Sequence, residues 1–402
     1  GKVGGTISRP IFRGTLKADV ITMNGVQLRD IHSFVHYENG IIEMQKTGFR
    51  QGEEGRVSAA LHYDIQTRGL RGSMDMENMD VAALLALANQ SENRIAGRMT
   101  SAVQLGGTLD NPSIALTGEI AEGAFASYPL SDVALDMELA DRVLTLRHLS
   151  GTQGSGSFSA VGTADFDGMA NVDIAASDIA LGLFTTFAGV AEDVTGTASL
   201  TAHIGGLTQN PEADVKITAK NGGVNGASFD ELTGEAQLRN SVIHLNGLTV
   251  TKYVDGVAYQ ASARGTLPLR ALRAEHDEVL SAYEQFDLTF ALDNADLSLL
   301  PVFSKQVEWA LGRTEGSLKL QGSLAAPRLT GTLRVINGAV KLRYFEHPLT
   351  DLQIQLDAFG DAISVRECTA RMGSGACMMT GRMELAGMHP TAYDFSFVMN
   401  GL

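Results

Sequence analysis

The sequence predicts an all-β protein with an elongated repeat architecture. Three observations predict it: a glycine–proline signature recurs along the chain, apolar and polar residues alternate over short stretches, and 44 glycines punctuate the sequence. Alternation with a period of two residues is typical of a strand with one apolar face. Recurrence at a fixed spacing indicates an array of similar units rather than a single compact core.

The signature is a glycine followed, after four intervening residues, by a proline. It occurs at Gly5–Pro10, Gly107–Pro112, Gly206–Pro211 and Gly322–Pro327, and the proline-to-proline spacings are 102, 99 and 116 residues. The chain has nine prolines, so almost half of them lie in this one setting. The spacing predicts repeat units of about one hundred residues, and such arrays present a long continuous surface.

Each signature separates two alternating stretches, and a hairpin follows. The hairpin is predicted from residues 133–139 and 144–146 in the second unit, and from residues 352–356 and 363–365 in the fourth. Gly, Asn and Asp lie between the stretches, where turns need positive φ angles or local side-chain hydrogen bonds. We expect roughly eight strands in each unit, in a long twisted sheet that is mostly antiparallel.

A short helix is predicted to end each unit after an aspartate. The three aspartates are Asp80, Asp178 and Asp296, spaced by 98 and 118 residues, in phase with the signature. Asp is a good N-cap because its carboxylate accepts hydrogen bonds from the first free amides of a helix. The third helix is expected to continue through Pro301, since a proline costs least in the first turn.

The two markers divide the chain into four predicted units. These are residues 1–96 (with a truncated start), 97–195, 196–315, and 316–402 (with a truncated end). A charged insert near residues 268–284 lengthens the third unit, and we expect an exposed loop or short helix there. Because the chain opens just before a signature and closes where other units begin a helix, we expect it to be an internal fragment of a longer protein.

The composition excludes some classes of function. With 31 Lys and Arg against 46 Asp and Glu, the net charge is −15, which argues against nucleic acid and against electrostatic docking on anionic lipid headgroups. The two cysteines, Cys368 and Cys377, flank a turn predicted at residues 373–375. A hairpin about that turn places them on opposite faces, so we expect no disulfide.

No catalytic site, metal site or cofactor site is predicted, so we expect a protein that is not an enzyme. His32 and His36 share one strand face without a third metal ligand nearby in the sequence. The glycine-rich segment 151–156 lacks the lysine of a phosphate-binding loop. His148 follows the phase of Leu146 and is predicted to be partly buried and hydrogen-bonded.

The apolar stripes of the strands are the remaining candidate for a functional surface. An ordinary packed core is the competing interpretation, since every sheet must bury one face. Aromatic residues are only 6% and there are 14 Met, a composition that suits an adaptable lining. The predicted lining residues are Val103, Leu105, Leu135, Met137, Leu139, Leu144, Leu146, Leu200, Ile204, Val215, Ile217, Leu318, Leu320, Leu333, Val335, Leu352, Ile354 and Leu356.

The order of motifs resembles the TamB branch of the AsmA-like superfamily. The resemblance rests on a strand before the Gly-x4-Pro signature, a Gly-x-Leu, alternating Leu hairpins, and a Gly-Ser-Gly before another strand. It is clearest in residues 196–250 and 316–385 and extends over all four units. The third unit departs from the pattern, because it lacks the glycine that follows the proline elsewhere, at Gly14, Gly118 and Gly331.

The resemblance implies a long β-sheet folded lengthwise into an apolar groove, called a β-taco, in the periplasm of a diderm bacterium. Proteins of this kind are anchored in the inner membrane, and their groove is implicated in moving phospholipid acyl chains to the outer membrane. An outer-membrane β-barrel partner is implied for a part of the protein outside this fragment. Two alternatives stay open: a scaffold for outer-membrane protein assembly, and a closed β-solenoid with a structural or adhesin role.

Overall fold

The computed structural model describes residues 1–90, 94–187, 194–224, 227–272, 284–299, 306–323, 326–386 and 389–401. The fold is all-β, and 24 strands are assigned to one antiparallel sheet with two short α-helices. By contacts the chain divides into two compact units. The first is Gly1–Ile179 with His203–Gln209, and the second is Ala180–Ala202 with Asn210–Leu402.

The strands recur in four sets of six, rather than in the sets of roughly eight that the sequence predicted. The first set is β1 (Lys2–Thr6), β2 (Arg9–Met23), β3 (Val26–Glu38), β4 (Ile41–Gln51), β5 (Gly55–Asp64) and β6 (Gly69–Asp80). The second is β7 (Ile95–Gly107), β8 (Pro112–Phe125), β9 (Tyr128–Ala140), β10 (Val143–Gln153), β11 (Gly156–Asp165) and β12 (Met169–Ala180).

The third set is β13 (Val194–Leu207), β14 (Asn210–Val224), β15 (Ala227–Arg239), β16 (Val242–Val254), β17 (Val257–Pro268) and β18 (Gln285–Asp296). The fourth is β19 (Val307–Ser323), β20 (Pro327–Leu342), β21 (Leu349–Gly360), β22 (Ala362–Met372), β23 (Gly375–Ala386) and β24 (His389–Asn400). Each strand pairs antiparallel with the next one in the chain from β1 to β12, and again from β14 to β24.

A helix follows each of the first three sets, as predicted. These helices are α1 (Val81–Leu87), α2 (Leu181–Phe187) and a 3-10 helix at Leu297–Leu299. A further 3-10 helix, Leu269–Leu272, begins the predicted charged insert. The rest of that insert up to residue 283, and the predicted continuation through Pro301, lie outside the described residues. The boundaries of the four predicted units stay a prediction.

The Gly-x4-Pro signature forms the turn between the first and second strands of each set. Its glycine has positive φ in all four copies, at 85°, 76°, 80° and 102° for Gly5, Gly107, Gly206 and Gly322. A Cβ at Gly107 would lie 2.4 Å from the carbonyl oxygen of Asn111, closer than van der Waals contact allows. Glycine is therefore required for both its backbone angle and its lack of a side chain.

The fourth strand of each set carries a bulge. The register shifts between Met44 and Thr47, between Leu146 and Leu149, between Leu245 and Leu248, and between Val365 and Cys368. Because a bulge inserts residues into one strand only, it changes which side chains point to each face. The bulge turns His148 to the face of Asp136, where it is exposed and lies 2.9 Å from the Ser150 hydroxyl. The predicted partial burial of His148 was wrong.

Two of the three predicted N-cap aspartates lie at the start of a helix. Asp80 accepts a hydrogen bond from the Ala83 backbone N–H at 3.1 Å, and Asp296 accepts one from the Ser298 N–H at 2.8 Å. Asp178 does not cap α2, because it lies three residues before Leu181 with φ at 53°. It occupies the left-handed position that Asn takes in the other sets, at Asn78 and Asn294.

The two cysteines lie on the same face, which corrects the predicted arrangement. Met372 pairs with Gly375, so the turn contains only Gly373 and Ser374 and Cys377 lies opposite Ala370. Cys368, two residues before Ala370, therefore shares the face of Cys377. Both thiols are free, and burial raises the pKa of Cys368, with the neighbouring Cys377 adding to the effect.

Candidate functional site

The predicted apolar residues of the first compact unit lie in cross-strand rows on one face. One row joins Met74, Val103, Leu116, Met137 and Leu146, one from each of β6 to β10. The next row toward the Gly-x4-Pro turn joins Leu105, Ile114, Leu139 and Leu144. Leu135 lies on the same face opposite Leu149. The alternation on each strand thus produces a continuous apolar surface.

The second compact unit repeats this arrangement. One row runs Val215, Ala236, Leu245, Gly265, Leu288, Leu320 and Leu329, across β14 to β20. A parallel row runs Ile217, Gly234, Leu248, Ala263, Phe290 and Leu318. Two more rows pair Leu333 with Leu356 and Val335 with Ile354, and Leu352 lies on the same face. We name the rows of each compact unit its apolar face.

Most of the predicted lining residues remain partly accessible to solvent. Val103, Val335 and Leu352 are buried, with exposed fractions of 7%, 1% and 2%. The other fifteen are half-buried, including Leu200 and Ile204, which lie on β13 in different compact units. A packed core hides its large apolar side chains almost completely, so this surface differs from an ordinary core.

The covered part of the apolar face lies beneath the helices. Leu84 of α1 packs with the buried residues Val57, Met76, Met79 and Val103. Leu181 and Phe184 of α2 pack with Ala198, Ala219 and Phe229, and Leu297 packs with Val307, Val335 and Leu352. The helices therefore close the apolar face at one end of the strands and leave the signature end more open.

Contacts of the third helix show that the sheet bends within the second compact unit. The 3-10 helix at Leu297–Leu299 contacts both β15 and β19. Those strands are four positions apart, about 19 Å in a flat sheet, while three 3-10 residues span about 6 Å. A helix lying over a flat sheet could not reach both strands, so the sheet curves toward it.

In the first compact unit, the turn between β2 and β3 is tied to α1. The Asn24 side-chain amide donates to the carbonyl oxygens of Ala86 and Leu87, at 3.2 Å and 3.3 Å. These carbonyls belong to the last turn of the helix, where intrahelical partners are missing. The turn and the helix are thus fastened together at the covered end of the apolar face.

The opposite face of the sheet is charged. Lys216 pairs with Glu235 at 3.3 Å and alternates along its strand with Val215 and Ile217. Arg147 binds Asp136 and Glu138, which alternate with the predicted lining residues of β9. One face of the sheet is therefore apolar and the other is polar, as period-two alternation requires.

Sequence reasoning missed several residues of the apolar face. Ile114, Leu116, Leu288, Phe290 and Leu329 lie in the rows described above. Their alternation on β8, β18 and β20 is visible in the sequence, so the same criterion could have found them.

Within the described ranges, no three His, Cys, Asp or Glu side chains are grouped to hold a metal ion. No described helix has the length and apolar character needed to cross a membrane.

Repeated six-strand sets with one apolar and one charged face define a repeat protein of the kind that presents an extended surface. The family model for the TamB C-terminal domain matches residues 147–356, slightly more than half of the chain. The chain belongs to the TamB family. No curated protein and no solved structure matches it.

Proposed function

We propose that this chain is a segment of a bridge-like lipid-transfer protein, which carries phospholipid acyl chains along the apolar face between the inner and outer membranes of a diderm bacterium. The observation that carries the proposal is the set of apolar rows that run across consecutive strands and stay half-buried. Family membership supports a role in outer-membrane assembly or lipid transport within the cell envelope. We place the segment in the periplasm, with an inner-membrane anchor elsewhere in the protein.

The physical basis is the transfer of acyl chains between two apolar environments. Removing apolar surface from water is worth about 25 cal/mol per Å², so a lipid tail gains by covering the half-buried rows. Because the rows are built from similar aliphatic side chains, a tail can move along them without a large change in free energy. The charged opposite face keeps the protein soluble.

The half-buried rows favour this proposal over a closed β-solenoid. A solenoid interior is dry and packed, and its apolar side chains are almost fully hidden. Among the described residues, the largest side chains exposed by less than 2% are Met79, Ile179, Val335 and Ser33, so few large apolar side chains are fully hidden. An assembly scaffold for outer-membrane proteins has the same fold, and it would act by pairing its strands with client strands.

The test is native mass spectrometry of protein purified from a bacterial envelope. We expect co-purified phospholipid with the natural sequence and a loss of that lipid in Leu320→Asp, which puts a charge into the middle of a row. Ser317→Asp is the matched control, because Ser317 is exposed on the opposite face of the same strand. Folded, lipid-free natural protein, or equal lipid in both variants, would reject the proposal.

A matched assay separates transport from assembly. The two variants are introduced into the full-length protein, and outer-membrane protein levels and phospholipid distribution are measured in the same cells. Loss of phospholipid transfer without an early loss of outer-membrane proteins supports the conduit. Loss of outer-membrane proteins before any loss of phospholipid transfer supports the scaffold, in which a β-barrel partner binds another part of the protein.

A further inference from the structure

Four turns of the first compact unit form a charged edge at the end of the sheet away from α1. We call this edge the rim. It consists of the turns at residues 65–68, 108–111, 141–142 and 166–168, which follow β5, β7, β9 and β11. The rim borders the half-buried row of Leu105, Ile114, Leu139 and Leu144.

Side-chain bonds join each rim turn to the next. Arg68 Nη1 lies 2.8 Å from Asp110 Oδ2, and Asn111 Nδ2 donates to Asp141 Oδ1 at 2.8 Å. Arg142 binds Asp167 through both Nε and Nη2, the latter donating to Oδ1 at 3.1 Å. The rim is therefore a connected series of side chains, in which two arginines each pair with an aspartate and Asn111 links the pairs to Asp141.

The two arginines have the same local geometry. Arg68 and Arg142 both have left-handed backbone angles, with φ at 57° and 63°. The carbonyl oxygen of each accepts a backbone N–H from the next turn at 3.1 Å, from Leu109 and Phe166 respectively. Each is thus held beside an aspartate and an apolar residue, and Leu109 and Phe166 are 52% and 43% exposed.

The rim lies within reach of a lipid headgroup. Arg142 is two residues from Leu144, about 7 Å along a strand. The guanidinium has five N–H donors, and two of them suffice for the Asp167 carboxylate. The side chains of Arg68 and Arg142 are 54% and 63% exposed, and exposed ion pairs are worth about 0–1 kcal/mol, so a phosphate can compete for them.

We propose that Arg68 and Arg142, which lie four strands apart, each bind the phosphate of a separate diacyl lipid whose chains lie on the adjacent apolar row. This inference rests on the proposed function, because the rim binds the headgroup only while the tails occupy the apolar face. Arginine suits phosphate because its planar fork offers paired donors. The aspartates beside the arginines can accept the ammonium group of a zwitterionic headgroup, so the rim would favour phospholipids over uncharged lipids.

The test compares two labelled lipids that differ in the phosphate alone, diacylglycerol and phosphatidic acid, each presented in phosphatidylcholine vesicles. We expect the natural protein to take up phosphatidic acid in preference to diacylglycerol. In R68Q/R142Q this preference falls roughly tenfold, the worth of a charge-assisted hydrogen bond, while diacylglycerol uptake is unchanged. R147Q is the control, since Arg147 pairs with carboxylates on the charged face.

The outcomes separate the two proposals. If the natural protein takes up neither lipid, the proposed function fails. If it takes up both without preference, or if R68Q/R142Q keeps the preference, the headgroup inference fails and the conduit survives. Inorganic phosphate that binds tightly and without effect on lipid uptake would assign the rim to a soluble anion and also overturn the inference. The single variants R68Q and R142Q carry the same test if the double variant does not fold.

Discussion

The side chains of Leu320 and Val335 lie on the apolar face of adjacent strands, yet only Val335 is fully buried. Val335 is 1% exposed and packs with Leu297, Val307 and Leu352, whereas Leu320 is half-buried and lies outside that cluster. The same face therefore contains a packed region under the helix and an open region beyond it. A charge placed in each region should have different consequences.

We expect Val335→Asp to destabilise the protein by at least about 3 kcal/mol, because it leaves an unpaired charge among apolar side chains. We expect Leu320→Asp to cost about 1 kcal/mol, since the carboxylate can remain hydrated. Thermal unfolding followed by circular dichroism measures both. Equal losses of stability would show that the apolar face is packed throughout, as in a closed solenoid.

The signature glycines give a second prediction. Gly107 and Gly25 have similar backbone angles, with φ at 76° and 80°, but a Cβ at Gly25 meets nothing within 4 Å. Gly25→Ala should therefore cost only the backbone strain, about 1 kcal/mol. Gly107→Ala should cost clearly more, because its Cβ meets the Asn111 carbonyl oxygen. Equal changes in melting temperature would contradict the steric explanation of the signature.

The sequence predicted the strands, the signature turns and the apolar face because each depends on local patterns. Alternation placed Leu139 and Leu144 on one hairpin, and the structure pairs them directly. A glycine with a nearby proline marked a turn whose geometry requires glycine. Alternation and turn signals are each contained in a few neighbouring residues, so a single sequence reveals them.

The wrong predictions arose where one residue more or less in a bulge or a turn changes the face of the sheet on which the next side chains lie. The bulge after Leu146 turns His148 to the charged face, and a two-residue turn puts Cys377 on the face of Cys368. Both depend on strand register, which tertiary pairing decides and a single sequence does not reveal. Asp178 was misplaced for a related reason, since Asp serves equally well as an N-cap and in a left-handed position.

The helix caps give a third prediction. Asp80→Ala should cost about 1 kcal/mol, because the Ala83 N–H loses its acceptor. Ala180 occupies the corresponding position directly before α2, so Ala180→Asp should stabilise the protein by a similar amount. Asp178→Asn is the control and should be nearly neutral, since Asn is found at this left-handed position in two other sets. No gain of stability in Ala180→Asp would contradict Ala180 as the N-cap position of α2.

The rim pair of Arg142 and Asp167 gives a prediction of pH dependence. The hydrogen bond from Arg142 lowers the pKa of Asp167, and the same bond raises the pKa of Arg142. A carboxyl group whose pKa is lower in the folded state stabilises that state above its unfolded pKa, which is about 4. This stabilisation disappears as the pH falls through the folded pKa.

We therefore expect the difference in melting temperature between the natural protein and Asp167→Asn to be constant from pH 5 to pH 9 and to shrink below about pH 4. Asp136→Asn is the comparison on the charged face, where Arg147 binds two carboxylates and one of them, Glu138, remains after the substitution. Its effect should be smaller over the same range. An effect of Asp167→Asn that grows as the solution becomes more acidic would show that the Asp167 carboxylate is not held by Arg142.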